Sequence, residues 1–321
     1  MLYSVYGLHV ASDLPLAGAV PAGGRSADVT FTMDPSRHAT YDGPRVSETF
    51  WYQSEWVDDT TGAPGLTIYH CGSSGSFRIR YGDGVEFLID AEGRRIVCAA
   101  PSGASLVDVA CYLTGPVLGF VLRQRGIVAL HASAVEIGGR AFLFVGDARC
   151  GKSTTAAVLA RMGHTVITED VAALEVDEHA VSVRAGCAEI ALRPDAVAAM
   201  YGSPEALPRF SDSWEKRRLD LTETGTFPAR STPVAGVYML TNQQGHRDAP
   251  YVEPMSSGGA MAELLANVYG NRLFHEQLRM RELDVVHRLV SAVPVRAAVT
   301  GAEPRLIGAF CERLLDDLHC S

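Results

Sequence analysis

The sequence predicts an α/β (α+β) protein, a phosphate-loop core on a mixed sheet preceded by a β-rich N-terminal module. Three observations predict it. Residues Gly146-Asp147-Ala148-Arg149-Cys150-Gly151-Lys152-Ser153 spell Gly-x-x-x-x-Gly-Lys-Ser between an apolar stretch that reads as a buried strand and a stretch that reads as a helix, the setting that gives such a motif physical sense. Residues 1–103 break into short segments separated by turn residues every ten positions or so, the pattern of an antiparallel meander. The strand entering the loop follows another strand through Gly138-Gly139, so it pairs with its predecessor and the core is mixed or antiparallel.

The elements follow in order. Leu2–Val10, Asp28–Met33, Glu48–Gln53, Gly65–Cys71, Ser76–Tyr81, Gly84–Ile89 and Arg94–Ala99 read as strands. Pro21-Ala-Gly-Gly, Asp42-Gly-Pro, Gly72-Ser-Ser-Gly, Tyr81-Gly-Asp-Gly and Ala91-Glu-Gly are the turn signals between them. Ser105–Arg125 carries apolar residues at helical spacing, with Gly115-Pro116 placed to kink or split it, so residues 104–126 read as a helical connector. The third segment, 127–321, opens with strands at Ile127–Ile137 and Arg140–Val145. A loop helix, Ser153–Met162, follows, with Gly163 as its cap. Thr165–Thr168, Val171–Val176, Ala180–Arg184, Val234–Leu240 and Val295–Val299 read as strands. Pro194–Tyr201, Ala260–Tyr269, Arg272–Leu278, Leu283–Val290 and Glu303–Leu318 read as helices, and the polar stretch 203–232 as a loop-like insertion.

Composition excludes several classes. The chain has 321 residues, 47% hydrophobic and 20% charged, an ordinary globular balance with room for two domains. No run approaches 18 uninterrupted apolar residues, so no membrane partner is expected. The N-terminal residues show neither a basic region nor an apolar signal core. A net charge of −9 argues weakly against a nucleic-acid partner. The seven cysteines are scattered without a Cys-x-x-Cys, which reads as free thiols in a cytoplasmic protein. Cys150 stands apart, because a thiol at a helix N-terminus is expected to have a lowered pKa and raised reactivity, although a tolerated small residue at a variable loop position is the reading favoured over redox regulation.

The motif implies a chemistry. Backbone N–H groups of Gly146 to Thr154 are expected to cradle the phosphates of a nucleotide, Lys152 to reach the outer ones, and the Ser153 hydroxyl to hold Mg²⁺. Glu169 and Asp170, sixteen and seventeen residues after Ser153, close the strand Thr165–Thr168. A parallel neighbour of the loop strand would set this pair beside a triphosphate. Adjacent residues at a strand end point to opposite sides, so one carboxylate serves the metal and the other the incoming hydroxyl. His131, folded back toward the loop by the hairpin, is a candidate proton partner.

These residues resemble a known family. The run from His131 through the loop to Gly163-His164 and Glu169-Asp170, about forty residues without a gap, is similar to the catalytic core of HPr kinase/phosphorylase. The resemblance implies an HPr-kinase-like core, ATP and Mg²⁺ as cofactors, and transfer of a phosphoryl group to a serine. It implies Glu169, Asp170, His131 and Lys152 as catalytic residues, with Ser153 and Asp170 at the metal. Ala188-Glu189-Ile190 is similar to the Glu-Ile of the family's later signature, which makes Glu189 a metal-ligand candidate. Ala191-Leu192 departs from the Arg-Gly that follows there, and this puts the phosphorylase reaction in doubt. The resemblance also implies a phosphate or carboxylate clamp from Lys216, Arg217 and Arg218, and a possible homo-oligomer. Arg149 stands where the family usually has glycine. The opening, Tyr6 to Leu16, is similar instead to HPr-kinase-related proteins of peptide-modification gene clusters, among them kinases of lasso-peptide precursors. The expected partner is therefore a peptide or small protein bearing an acceptor Ser, with a ribosomal-peptide precursor ahead of HPr itself. An ATP-binding interaction protein with reduced catalysis, and nucleotidyl transfer, stay open as alternatives.

Overall fold

The computed structural model describes residues 1–24, 26–34, 48–72, 74–178, 180–211, 213–222, 231–241, 250–271, 276–300 and 306–319. The Asp42-Gly-Pro turn signal, part of Gly72-Ser-Ser-Gly, most of Arg272–Leu278's first turn, the start of Glu303–Leu318 and part of the 203–232 segment lie outside these residues. The chain forms two compact units, Met1–Arg125 and Gly126–Ser321.

The first unit is a nine-stranded sheet: β1 Leu2–Val5, β2 Leu8–Ser12, β3 Val20–Pro21, β4 Val29–Met33, β5 Glu48–Gln53, β6 Leu66–Cys71, β7 Ser76–Tyr81, β8 Glu86–Ile89 and β9 Arg95–Ala99. Its spatial order is β3-β1-β2-β4-β9-β8-β7-β6-β5. The expected meander holds for β5 to β9, which are all antiparallel. It fails at β4, which lies parallel to both β2 and β9; no local signal marks a pairing made by distant segments. The single strand expected over Leu2–Val10 is a hairpin turned at Tyr6-Gly7. At the centre of β7 the buried Arg78 guanidinium pairs with Glu48 (2.8 Å) and Glu86 (2.9 Å) and lies over the Tyr69 ring. A buried charge of this kind needs such partners.

The helical stretch is α1 Leu106–Tyr112, a π-helical turn Leu113–Val117 and α2 Leu118–Gln124. Ser105 caps it by accepting from the Asp108 amide, and Gly115-Pro116 sits in the π turn, where proline removes a helical bond. The stretch packs within the first unit. Phe120 meets Phe77 edge to face, and the Gln124 amide donates to the carbonyls of Asp90 and Ala91. By length and composition Leu106–Gln124 is apolar enough to cross a membrane; 67% of it is buried, as in a core helix.

The second unit contains β10 Ala129–Ile137, β11 Arg140–Val145, α3 Lys152–Arg161, β12 Thr165–Thr168, β13 Val171–Val176, β14 Val181–Val183, β15 Glu189–Leu192, α4 Pro194–Tyr201, β16 Arg217–Asp220, β17 Thr232–Thr241, β18 Tyr251–Pro254, α5 Ser257–Ala266, α6 Glu276–Ala292, β19 Val295–Val299 and α7 Ile307–His319. Its main sheet is mixed, as expected. β11 is antiparallel to β10 and parallel to β17, which is parallel to β19. Pairings β11–β10–β13–β14–β17 return to β11 and close a ring of strands.

The apolar run of β11 follows from burial on both faces. Ala141, Leu143 and Val145 pack with α5 and α6 residues such as Leu264, Val286 and Leu289. Phe142 and Phe144 pack on the other face with Ala156 and Leu159 of α3 and with Phe310, Cys311 and Leu314 of α7. Two helices expected at Arg272–Leu278 and Leu283–Val290 are one where described, α6. The 203–232 segment is not all loop: β16 pairs along β15, and Thr232 already belongs to β17. Such a strand is set by its pairing partner rather than by its own propensity.

One expectation about topology is corrected. The strand ending in the acidic pair, β12, is not a neighbour of the loop strand. β10 lies between them, antiparallel to both, so β11 and β12 run the same way and end at the same edge of the sheet.

Candidate functional site

The loop leaves β11 at Gly146 and enters α3 at Gly151-Lys152. Gly146 is required by space as well as by φ (148°), because a Cβ there would stand 2.4 Å from the Leu240 carbonyl oxygen. Gly151 has φ 106° and opens the helix. Lys152 bends back over its own loop, donating to the carbonyls of Gly146 (2.7 Å) and Asp147 (3.0 Å), and is buried. Two of the three ammonium donors are taken by the loop, leaving one for a ligand. The buried Ser133 hydroxyl of β10 donates to the Lys152 carbonyl and ties the first turn of α3 to the sheet.

Cys150 is also corrected. Its side chain is buried in the α3–α7 core, and burial pushes the thiol pKa up, against the opposing pull of Lys152. The local helix-terminus effect anticipated from sequence loses to desolvation.

Glu169 and Asp170 follow β12 directly. The Asp170 carbonyl accepts from the Ala132 amide, which pins the strand end against β10. The two side chains diverge as alternation requires. Glu169 accepts a short hydrogen bond from the Ser153 hydroxyl. Asp170 pairs with His131 Nε2 at 3.1 Å. His131 in turn meets Tyr269 edge to face, and its backbone amide donates to the Asn267 carbonyl. Burial and the neighbouring Asp170 charge push the Glu169 carboxyl up to about 7. For Asp170 burial acts in the same upward direction, but His131, Lys216 and Lys152 outweigh it and hold the carboxyl below its ordinary value.

These groups line a cleft of about 780 Å³, a volume suited to a nucleotide-sized ligand. His131, Ala148, Arg149, Cys150, Gly151, Lys152, Ser153, Thr154, Glu169 and Asp170 all border it. Gly146 and Asp147 contribute to the loop behind it. The facing wall comes from Arg193–Ala196 and Trp214–Lys216, with Thr300 and Ile307 beside the loop. Of these the sequence pointed only to Lys216. Trp214, stacked on Phe210, carried a faint signal as a lone Trp in a polar segment.

Glu189 is not brought into the cleft, which corrects its place among the metal ligands. It is buried on β15, where its carboxylate pairs with Arg218 at 2.8 Å. The basic triplet is divided in the same way: Lys216 faces the cleft, Arg217 lies 3.8 Å from Glu205, and Arg218 serves Glu189.

Among the described residues no three His, Cys, Asp or Glu side chains cluster as a metal site. The donors at the cleft still fit Mg²⁺. Ser153 Oγ and the Glu169 and Asp170 carboxylates are hard oxygen ligands, and Mg²⁺ usually takes only one or two carboxylates, completing its shell with water and phosphate.

No family model matches the chain, and no curated protein matches it. Among solved structures it is similar to the HPr(Ser) kinase/phosphatase from Coxiella burnetii, at 12% identity and a TM-score of 0.33, over 60% of this chain and 98% of that one. A likeness at that level carries no functional weight.

Proposed function

We propose that the second unit is an ATP- and Mg²⁺-dependent phosphotransferase that phosphorylates a serine hydroxyl of a peptide or small protein. The observation that carries this reading is the convergence on one sheet edge of the phosphate loop, Glu169, Asp170 and His131. Loop amides and the remaining Lys152 donor bind phosphate oxygens. Ser153 and Asp170 would hold Mg²⁺, which when bound neutralises phosphate charge. Glu169 orients the acceptor hydroxyl and takes its proton; His131 holds Asp170 ionised and fixed. The acceptor oxygen forms a bond to the γ-phosphorus as the bond to the β–γ bridging oxygen breaks, and ADP leaves with that electron pair.

A precursor peptide is preferred over HPr as acceptor, on the resemblance of residues 6–16 alone. Incubation of the full chain with ATP, Mg²⁺ and Ser-bearing peptides, read by intact mass, tests the reading. Phosphate adds about 80 Da and an adenylyl group about 330 Da, so the reaction class is read directly. Tight ATP binding without any product would favour a catalytically reduced binding protein instead.

A further inference from the structure

Arg149 is a residue whose backbone asks for glycine. Its φ of 69° lies in the left-handed region, which glycine adopts freely and residues with a Cβ adopt only at a cost. Tyr6 is the other non-glycine residue found there among those described. Strain of this kind persists where surrounding structure or function enforces it.

The side chain adds a second, independent observation. Arg149 is exposed and borders the cleft, and among the described residues no hydrogen bond or ion pair holds its guanidinium. Other cations at the cleft are already engaged: Lys152 with its loop carbonyls and Arg193 with Asp195 at 3.3 Å. Lys216 stands on the side of the acidic pair, where its charge acts on both carboxylates. Glu169 and Asp170 repel a triphosphate, and beside the one remaining Lys152 donor the loop offers Arg149 to offset them.

We propose that Arg149 is a catalytic residue of this site, an arginine carried by the phosphate loop itself that grips the transferring phosphoryl group. The inference rests on the phosphotransfer reading above. A planar guanidinium can donate to two phosphoryl oxygens at once. During transfer the charge spreads over the three equatorial oxygens while the acceptor O–P bond forms, the bridging P–O bond breaks and the hydroxyl proton passes to Glu169. Arg149 changes none of these bonds; it stabilises the charge as it moves. Backbone strain is the cost of placing that fork on the loop.

The test separates strain from chemistry by comparing Arg149→Gly, Arg149→Ala and Arg149→Lys in the full chain. Melting temperature, ATP affinity by calorimetry, and kcat and KM with an accepted Ser peptide are read for each. Arg149→Gly is expected to melt a few degrees higher. Its kcat is expected to fall on the order of 100-fold, the usual loss of one transition-state donor, with ATP affinity changed less than about tenfold. Arg149→Lys recovers part of the rate. If the wild-type chain transfers phosphate and Arg149→Gly matches its kcat, the assignment is overturned and the phosphotransfer reading stands. If the loss appears wholly in ATP affinity, Arg149 is a binding residue and the assignment is equally overturned. A wild-type chain that binds ATP and transfers nothing overturns the reading, and Arg149's role with it.

Discussion

Replacing Lys152 by alanine perturbs two things that the loop geometry separates. The ammonium satisfies the Gly146 carbonyl at 2.7 Å in a buried setting and the Asp147 carbonyl at 3.0 Å at the surface. Water can replace the lysine at Asp147. At Gly146 it cannot do so easily, and a buried carbonyl left unsatisfied costs about 1–3 kcal/mol. Lost packing of the buried lysine stem adds to this, so Lys152→Ala is expected to destabilise the chain by about 2 kcal/mol. In a unit of about 200 residues that corresponds to a melting temperature lower by about 4–8 °C. Phosphate transfer is lost as well, because the donor aimed at the phosphates is gone. Thermal unfolding followed by circular dichroism, with ATP affinity measured in parallel, reads both effects. A variant that melts with the wild type and still binds ATP equally well would refute the loop geometry and the role drawn from it.

Two further outcomes are expected. Glu169 is raised from 4.5 to about 7, so between those values the folded state binds more protons than the unfolded one and its stability falls as pH rises. In the presence of a chelator, Glu169→Gln should therefore melt above the wild type at pH 8 and lose that advantage by pH 4; an equal difference at both pH values would contradict it. In the first unit, Arg78→Met strands the buried carboxylates of Glu48 and Glu86 and is expected to cost about 3–5 kcal/mol in urea unfolding. A change below about 1 kcal/mol would show that the pairing does not hold the sheet together.

What the sequence disclosed and what it hid divide along a physical line. The phosphate loop, its strand and its helix were legible because Gly146, Gly151 and the apolar run Ala141–Val145 act over a few residues. The acidic pair at 169–170 was legible for the same reason, although β10 rather than direct adjacency brings it to the loop. Features set by distant partners were not. β4 lies parallel between β2 and β9, and β16 is held by its pairing along β15 and by a bridge from Arg209 to Arg217. Glu189 reads as a free carboxylate until Arg218, twenty-nine residues on, is seen beside it. Cys150 shows the limit most clearly. Its neighbours in sequence argue for a reactive thiolate, and its neighbours in space, the α3–α7 core, bury it and push its pKa the other way.

On the proposed function, this cleft moves a phosphoryl group from ATP to a serine hydroxyl. The most direct measurement is the intact mass of a Ser-bearing peptide after incubation with the full chain, ATP and Mg²⁺, alongside the same peptide with its serine replaced by alanine. A gain of about 80 Da on the Ser peptide alone is the predicted result. Tight ATP binding with no mass change on any peptide, or a gain of about 330 Da, would contradict it.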